Sequence, residues 1–484
     1  MTPQAQSNPW NPELLQREAG YFPSSGDDPE KSVLMRGSEN WLARFGQTNA
    51  FGGGQAVKEE VQSLFARWLR MQNFCVLMGA GASCYVTKTL NAGLLTQASG
   101  LLESRPSATT LNAIRLLASD QERPGRKIEH FLSQLKGLCS LFDDPLSPLD
   151  MIPKPSLFSE NTGNGDLAAV RELLVDLERA IAVVCSVPLP PSSFLPDTSG
   201  GTAPETVTAH ENFLAKLMAR DPQDGRAKVF TTNYDTLIEQ AMDRLGILYC
   251  DGFTGTVGRR FNSSAYDLDY YFPGEVGEGR VRRYHKVVQL YKLHGSINWR
   301  RGGAGAMNPY GIRYEAASLP TAEDIRTGKA ELDKVFAADE GLGILPTANK
   351  YGQSLTMPFA HMFRSLGQAL LQSQTVLFVI GYGGGDEHIN QMVHDALVNP
   401  GFTCVIVDPY PSDWAKRLLK ADYCQRVYLV GGAWGAFETF AEHLIPNLEA
   451  LKTELDIART LRELRPVVGG SSNPSEDLES PPNG

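Results

Sequence analysis

The chain has 484 residues, 42% of them hydrophobic, which is material for a large core and for two or three domains' worth of structure. Its net charge of −10 argues against a protein built to grip nucleic acid, and the basic residues Arg259, Arg260, Arg280, Arg282, Arg283 and Lys286 read as a solvated loop. No basic stretch followed by an apolar run opens the chain, and the longest apolar runs, such as 375–380, are strand-length, so a cytoplasmic protein with no membrane span is expected.

Residues 1–30, rich in Pro, Ser, Gln and Asn, read as a loose arm. A short helical pattern covers 31–54 and ends in Phe51-Gly-Gly-Gly54. Apolar residues at Val57, Val61, Leu64, Phe65, Trp68 and Leu69 predict an amphipathic helix over 57–71. Residues 74–78 form the first buried strand. Helical patterns follow over 128–135 and 167–187, and 188–206 is a Pro- and Ser-rich loop. A helix over 207–219 leads into a strand over 228–231 and a further helix over 234–245. Loops and short strands are expected over 250–285, then strands at 287–293, 375–380, 404–407 and 426–430. Helices are expected at 359–372, 388–397 and 433–451, and a disordered tail from 466. Short apolar runs alternating with helices imply an α/β fold: a Rossmann-like, doubly wound parallel sheet with a helical insertion. The expected organisation is an arm and helix (1–70), a main α/β domain (71–450) with a helical insertion over about 100–220, and the tail (466–484).

Four strand ends carry chemistry. Gly79-x-Gly81-x-Ser83 follows the first strand and is expected to open a helix, a place where amides approach a pyrophosphate. The hydride-transfer fingerprint wants glycine where Cys84 stands, and an acid about twenty residues after the strand, whereas the first acid here is Glu103 in a helical context. Thr231-Thr-Asn-Tyr-Asp235 ends the next strand, where side chains point into the crevice of an open sheet. An amide such as Asn233 can hold a ribose hydroxyl or orient a water, and Asp235 can cap the helix that follows; both can hold at once. His294 sits between a strand and Gly295, and its imidazole can take a proton near neutral pH. Gly381-Tyr-Gly-Gly-Gly-Asp386 follows a fourth strand, with Asp386 a good helix cap.

In this order the motifs resemble the sirtuin superfamily, and within it the sirtuin-like NAD-consuming effectors of bacterial antiphage defence. The resemblance covers roughly 71–450. It implies that Gly79, Ala80, Gly81 and Ser83 form the NAD-binding turn, and that Ala92-Gly93-Leu94 belongs to the loop covering the cofactor. Asn233 and Asp235 carry over, whereas Thr232 replaces the family's glutamine. His294 matches the catalytic histidine. Gly381 and Gly383 would lie beside the adenosine half of NAD, and Asp408 at a ribose or adenine position. Asn233 and His294 are thus the catalytic candidates. The implied reaction is cleavage of the nicotinamide–ribose bond of NAD+, with NAD+ as substrate and no metal.

Zinc-dependent deacylases of the superfamily carry two cysteine pairs after the His-Gly motif. Of the seven cysteines here, only Cys404 and Cys424 follow His294, well apart, and no Cys-x-x-Cys occurs, so neither that module nor a disulfide framework is expected. A sensing module that binds NAD or ADP-ribose without turnover, and an ADP-ribosyltransferase, are the alternatives. An enzyme that depletes NAD+ needs a gate. Homo-oligomerisation, or a partner such as a HerA-type ATPase, a short Argonaute or a nucleotide-sensing companion, is what the resemblance implies.

Overall fold

The computed structural model describes residues 9–16, 31–37, 39–45, 54–87, 94–102, 132, 135–137, 139, 165–193, 206–221, 223–272, 283–302, 308–316, 318–337, 340–344, 357–421 and 425–448. Met1–Pro446 forms one compact unit and Asn447–Gly484 another; the fold below is that of the first. The expected tail, Ala92 and Gly93, Arg280 and Arg282, and most of the expected insertion lie outside the described residues.

Fourteen strands are described: β1 (Ser32–Arg36), β2 (Glu39–Asn40), β3 (Asn73–Met78), β4 (Ala227–Thr231), β5 (Leu248–Cys250), β6 (Phe253–Thr254), β7 (Arg260–Phe261), β8 (Val287–Lys292), β9 (Gly295–Arg301), β10 (Ile312–Tyr314), β11 (Gly341–Ile344), β12 (Thr375–Ile380), β13 (Phe402–Val407) and β14 (Val427–Gly432). Nine make the main sheet, ordered β2-β1-β14-β13-β12-β3-β4-β8-β5. From β14 to β5 every pairing is parallel, and β1 and β2 add an antiparallel edge. All six residues of β12 are buried, as expected of a parallel strand covered on both faces.

Helices cover those faces. On one, α1 (Gly54–Leu69) presents Phe65 and Trp68 edge-on to Phe378 of β12, with ring centroids 5.9 and 6.2 Å away. Phe74 of β3 meets Phe378 at 5.0 Å. On the other, Cys75, Leu77, Leu377 and Val379 join the apolar faces of α6 (Phe359–Leu370), α7 (Glu387–Ala396) and α8 (Asp413–Ala421) in one core. Burying each such side chain contributes about 1.5–3 kcal/mol. Between the faces in sequence lie α2 (Leu94–Leu102), α3 (Gly165–Cys185), α4 (Ala209–Met218) and α5 (Leu237–Arg244). The doubly wound parallel sheet expected from the sequence is therefore present. Among the described residues no helix is long and apolar enough to cross a membrane.

A smaller antiparallel sheet, β11-β9-β10-β7-β6, has its strand β9 directly after His294. Helix α3 packs Leu173, Leu177 and Ile181 against Ile297, Leu342 and Ile344 of this sheet. Buried Glu178 anchors it, accepting from Arg301 Nη2 at 2.8 Å and Leu342 N at 3.0 Å and pairing with Lys136 at 2.8 Å. Burial works against the charge, but Lys136 and Arg301 hold the Glu178 carboxyl below the usual range.

Four local expectations change. Ser32–Arg36, read within a helical pattern, is a strand, because it pairs along its whole length with β14. Part of the expected loose arm is docked: the Trp10 ring lies 5.1 Å from that of Trp434, and Trp434 Nε1 donates to Pro9 O. The expected closing helix breaks into a 3₁₀ turn (Ala433–Gly435), a short helix (Phe437–Thr439) and a π turn (Phe440–Leu444). The basic residues read as a solvated loop are instead partly paired: Arg259 forks onto Asp251 and Arg283 meets Asp269.

Candidate active site

Register places the motifs together. Ile380 pairs with Met78 and with Val407, Met78 with Thr231, and Thr231 with Lys292. The C-terminal ends of β13, β12, β3, β4 and β8 are therefore level. Asp408, Gly381, Gly79, Thr232 and Leu293, the residues that follow, line one edge of the sheet, where ligands bind in open α/β folds.

The glycine turn after β3 does not open a long helix. It makes one 3₁₀ turn, Ala80–Ser83. Gly79 N donates to Ile380 O and Gly81 N to Gly381 O, both at 2.9 Å, so these two amides already have partners within the protein. The reason for glycine is mutual approach. A Cβ on Gly81 would lie 2.6 Å from Gly381 Cα, and one on Gly381, where φ is +61°, would lie 2.3 Å from Ala82 N. The two turns interlock through bare backbone, whereas Gly383 is exposed with open space around it.

Asn233 is set by this turn. Its Nδ2 donates to Gly79 O and Ser83 Oγ, each at 3.0 Å. A carbonyl oxygen only accepts, so the amide must present its nitrogen there, and its oxygen is the group able to accept from a sugar hydroxyl or a water. Ser83 Oγ in turn donates to Asp235 Oδ2 at 3.0 Å, while Asp235 Oδ1 accepts from Leu237 N at the start of α5. Ser83 and Asp235 are thus buried supports beneath the half-buried Asn233, and Asp235, one residue before the N-cap Thr236, also accepts from the first amide of α5. Thr232 N is held by Met78 O at 3.0 Å.

His294, 5% exposed, lies between the rings of Tyr234 and Phe363, with centroids at 6.4 and 6.5 Å. Its Nε2 is 2.9 Å from Asp386 Oδ2, a residue 1% exposed. With the carboxylate ionised, the network assigns the proton to Nε2 and leaves the lone pair on Nδ1. Asp386 is itself fixed. Its Oδ1 accepts from His388 N at 3.2 Å, capping α7, and its N donates to Tyr382 Oη at 3.0 Å. Sequence reasoning found Asp386 as a cap and missed it as the partner of His294. The two stand 92 residues apart, and only the sheet order joins them.

Asp408 lies at the end of β13, its Oδ1 accepting from Tyr410 N at 2.9 Å. Burial pushes its carboxyl up to about 6, against the opposing hydrogen bond. A carboxyl whose folded pKa is raised binds more protons folded than unfolded, so stability falls as pH rises from about 4 to about 6. Asp408→Asn should remove this slope, gaining on the order of 2 kcal/mol over the native chain at pH 7 and nothing at pH 4. Denaturant titrations at both pH values check it, and a pH-independent difference would sink it. Among the described residues no cluster of three or more His, Cys, Asp or Glu could hold a metal ion.

Residues 227–428 match a family profile described as SIR2-like domain. The chain carries a SIR2-like domain over these residues, and such a domain is a NAD-related fold. The matched span contains Asn233, His294, Asp386 and Asp408; the Gly79 turn precedes it and enters the site through β3, which lies between β12 and β4. No curated protein matches the chain.

Proposed function

We propose that the protein is a NAD+ hydrolase that cleaves the nicotinamide–ribose bond, releasing nicotinamide and ADP-ribose. The observation that carries this is the convergence, on one sheet edge, of an amide held by Gly79 and Ser83 with an imidazole held by Asp386. Nicotinamide leaves as a neutral molecule from a cationic ring and needs no general acid. The transition state is cation-like at the sugar. The work left to the protein is to fix the ribose, admit one water and take its proton. Asn233 offers an acceptor for a hydroxyl or the water, and His294 offers a basic nitrogen with its other nitrogen tied to a carboxylate. Gly381, Gly383 and Asp408, on the neighbouring strands, extend the same edge as a seat for the adenosine half.

The cellular role we propose is that of an effector that depletes NAD+ during phage infection, silent until gated by assembly with itself or with a partner protein. The test is analysis of labelled NAD+ in lysates of phage-infected cells carrying the gene with its genomic neighbours. Release of nicotinamide with free ADP-ribose is expected. Label transferred to protein or nucleic acid would make it a transferase, and tight NAD+ binding with no release under infection would make it a sensor.

A further inference from the structure

Lys292 closes β8 and is 2% exposed. Its ammonium donates to the main-chain oxygen of Asp235 and lies 2.9 Å from Glu239 Oε1. Glu239 Oε2 has no hydrogen-bond partner among the described residues. A buried pair of this kind is poorly explained by stability, since apolar residues of similar volume in its place are commonly neutral or stabilising. Where the ammonium points explains it better. Asp235 stands two residues beyond Asn233, and Lys292 two residues before His294. Thr231 and Lys292 are register partners, so the ammonium spans the gap between two adjacent loops just past their last paired residues. Two backbone hydrogen bonds cross the same gap, Leu293 N to Thr231 O at 2.8 Å and Ile297 N to Tyr234 O at 3.1 Å. An apolar residue at 292 would fill the space and hold neither acceptor. A lysine brings three donors on one compact head, and Glu239, from the first turn of α5, fixes where that head sits.

We propose that Lys292 is a positioning residue: with Glu239 as its anchor, it clasps the loop of Asn233 to the loop of His294 and sets the distance between them. Its effect on turnover rests on the hydrolase reading; the clasp itself does not. The test uses the full chain carrying Lys292→Met together with Glu239→Leu, which removes both charges at once. Lys292→Met alone would leave a buried carboxylate without its cation, and is expected to lose folded protein. Hydrogen exchange of the folded double variant should speed up about tenfold or more in peptides covering 231–237 and 293–297, and stay at the native rate in β3 and β12. In the gated assay kcat should fall roughly 10–100-fold with KM within about threefold, because misplacement costs the transition state more than it costs binding. Native exchange in both loops would overturn the clasp whatever the activity, and so would exchange that rises equally across the sheet. Faster loop exchange beside a wild type that never releases nicotinamide would keep the clasp and remove the hydrolase.

Discussion

His294→Ala is expected to abolish nicotinamide release, lowering kcat about 10²–10⁴-fold, the range a positioned proton-transfer group contributes. NAD+ affinity by calorimetry should stay within a few fold, because Gly381, Gly383 and Asp408, the proposed seat of the adenosine half, are untouched. Asn233→Ala should fall as far, since it removes the acceptor and also leaves Gly79 O and Ser83 Oγ without its donor. Asp386→Asn separates orientation from folding. Asparagine caps a helix as well as aspartate does, so α7 should keep its start. What is lost is the charge that holds the Nε2 proton in place, at a cost on the order of 10–10²-fold in kcat. A His294→Ala protein keeping more than a tenth of the native rate would remove the histidine from the chemistry.

Gly295→Ala should be the most damaging small change near the site. Gly295 has φ +85°, and a Cβ there would stand 2.0 Å from Gly343 O on the neighbouring β11. The left-handed backbone costs an alanine about 1–2 kcal/mol, and the collision falls on main chain, at the irregularity between Leu342 and Ile344 in the β11–β9 pairing. A loss above about 4 kcal/mol, or no soluble protein, is expected. Gly367→Ala is the opposite case. It lies within α6 with nothing inside 4 Å of its added Cβ, and should stabilise by up to about 1 kcal/mol. Denaturant unfolding of the two variants decides, and comparable stabilities would show that the contact at Gly295 yields.

Six of the seven parallel strands, all but the partly exposed β5, were legible because each is a short apolar run ending in glycine or a polar cluster, and burial on both faces leaves that pattern little freedom. The strand-end residues came with them. What eluded the sequence depends on long-range pairing. Ser32–Arg36 carries an apolar run that suits a helix as well as a strand, and its partner β14 lies at the far end of the chain. The turn after Gly79 carries a helical signal, yet it closes as a single 3₁₀ turn whose Gly81 amide donates to the distant Gly381 O. Asp386 announces its cap locally and its histidine not at all. Ser83 reads as a ligand contact, but its neighbours Asn233 and Asp235 draw its hydroxyl inward.

The distance along the chain between His294 and Asp386 has a bearing on biosynthesis. A ribosome that has made His294 still has 92 residues to add before the histidine's partner exists, and β14, which joins β1 to β13, comes later still. Domains assemble as units once their strands are available. A nascent chain, or one cut short by a premature stop, therefore carries an imidazole without its carboxylate. On the proposed hydrolase reading, such incomplete copies would lack the group that orients the histidine.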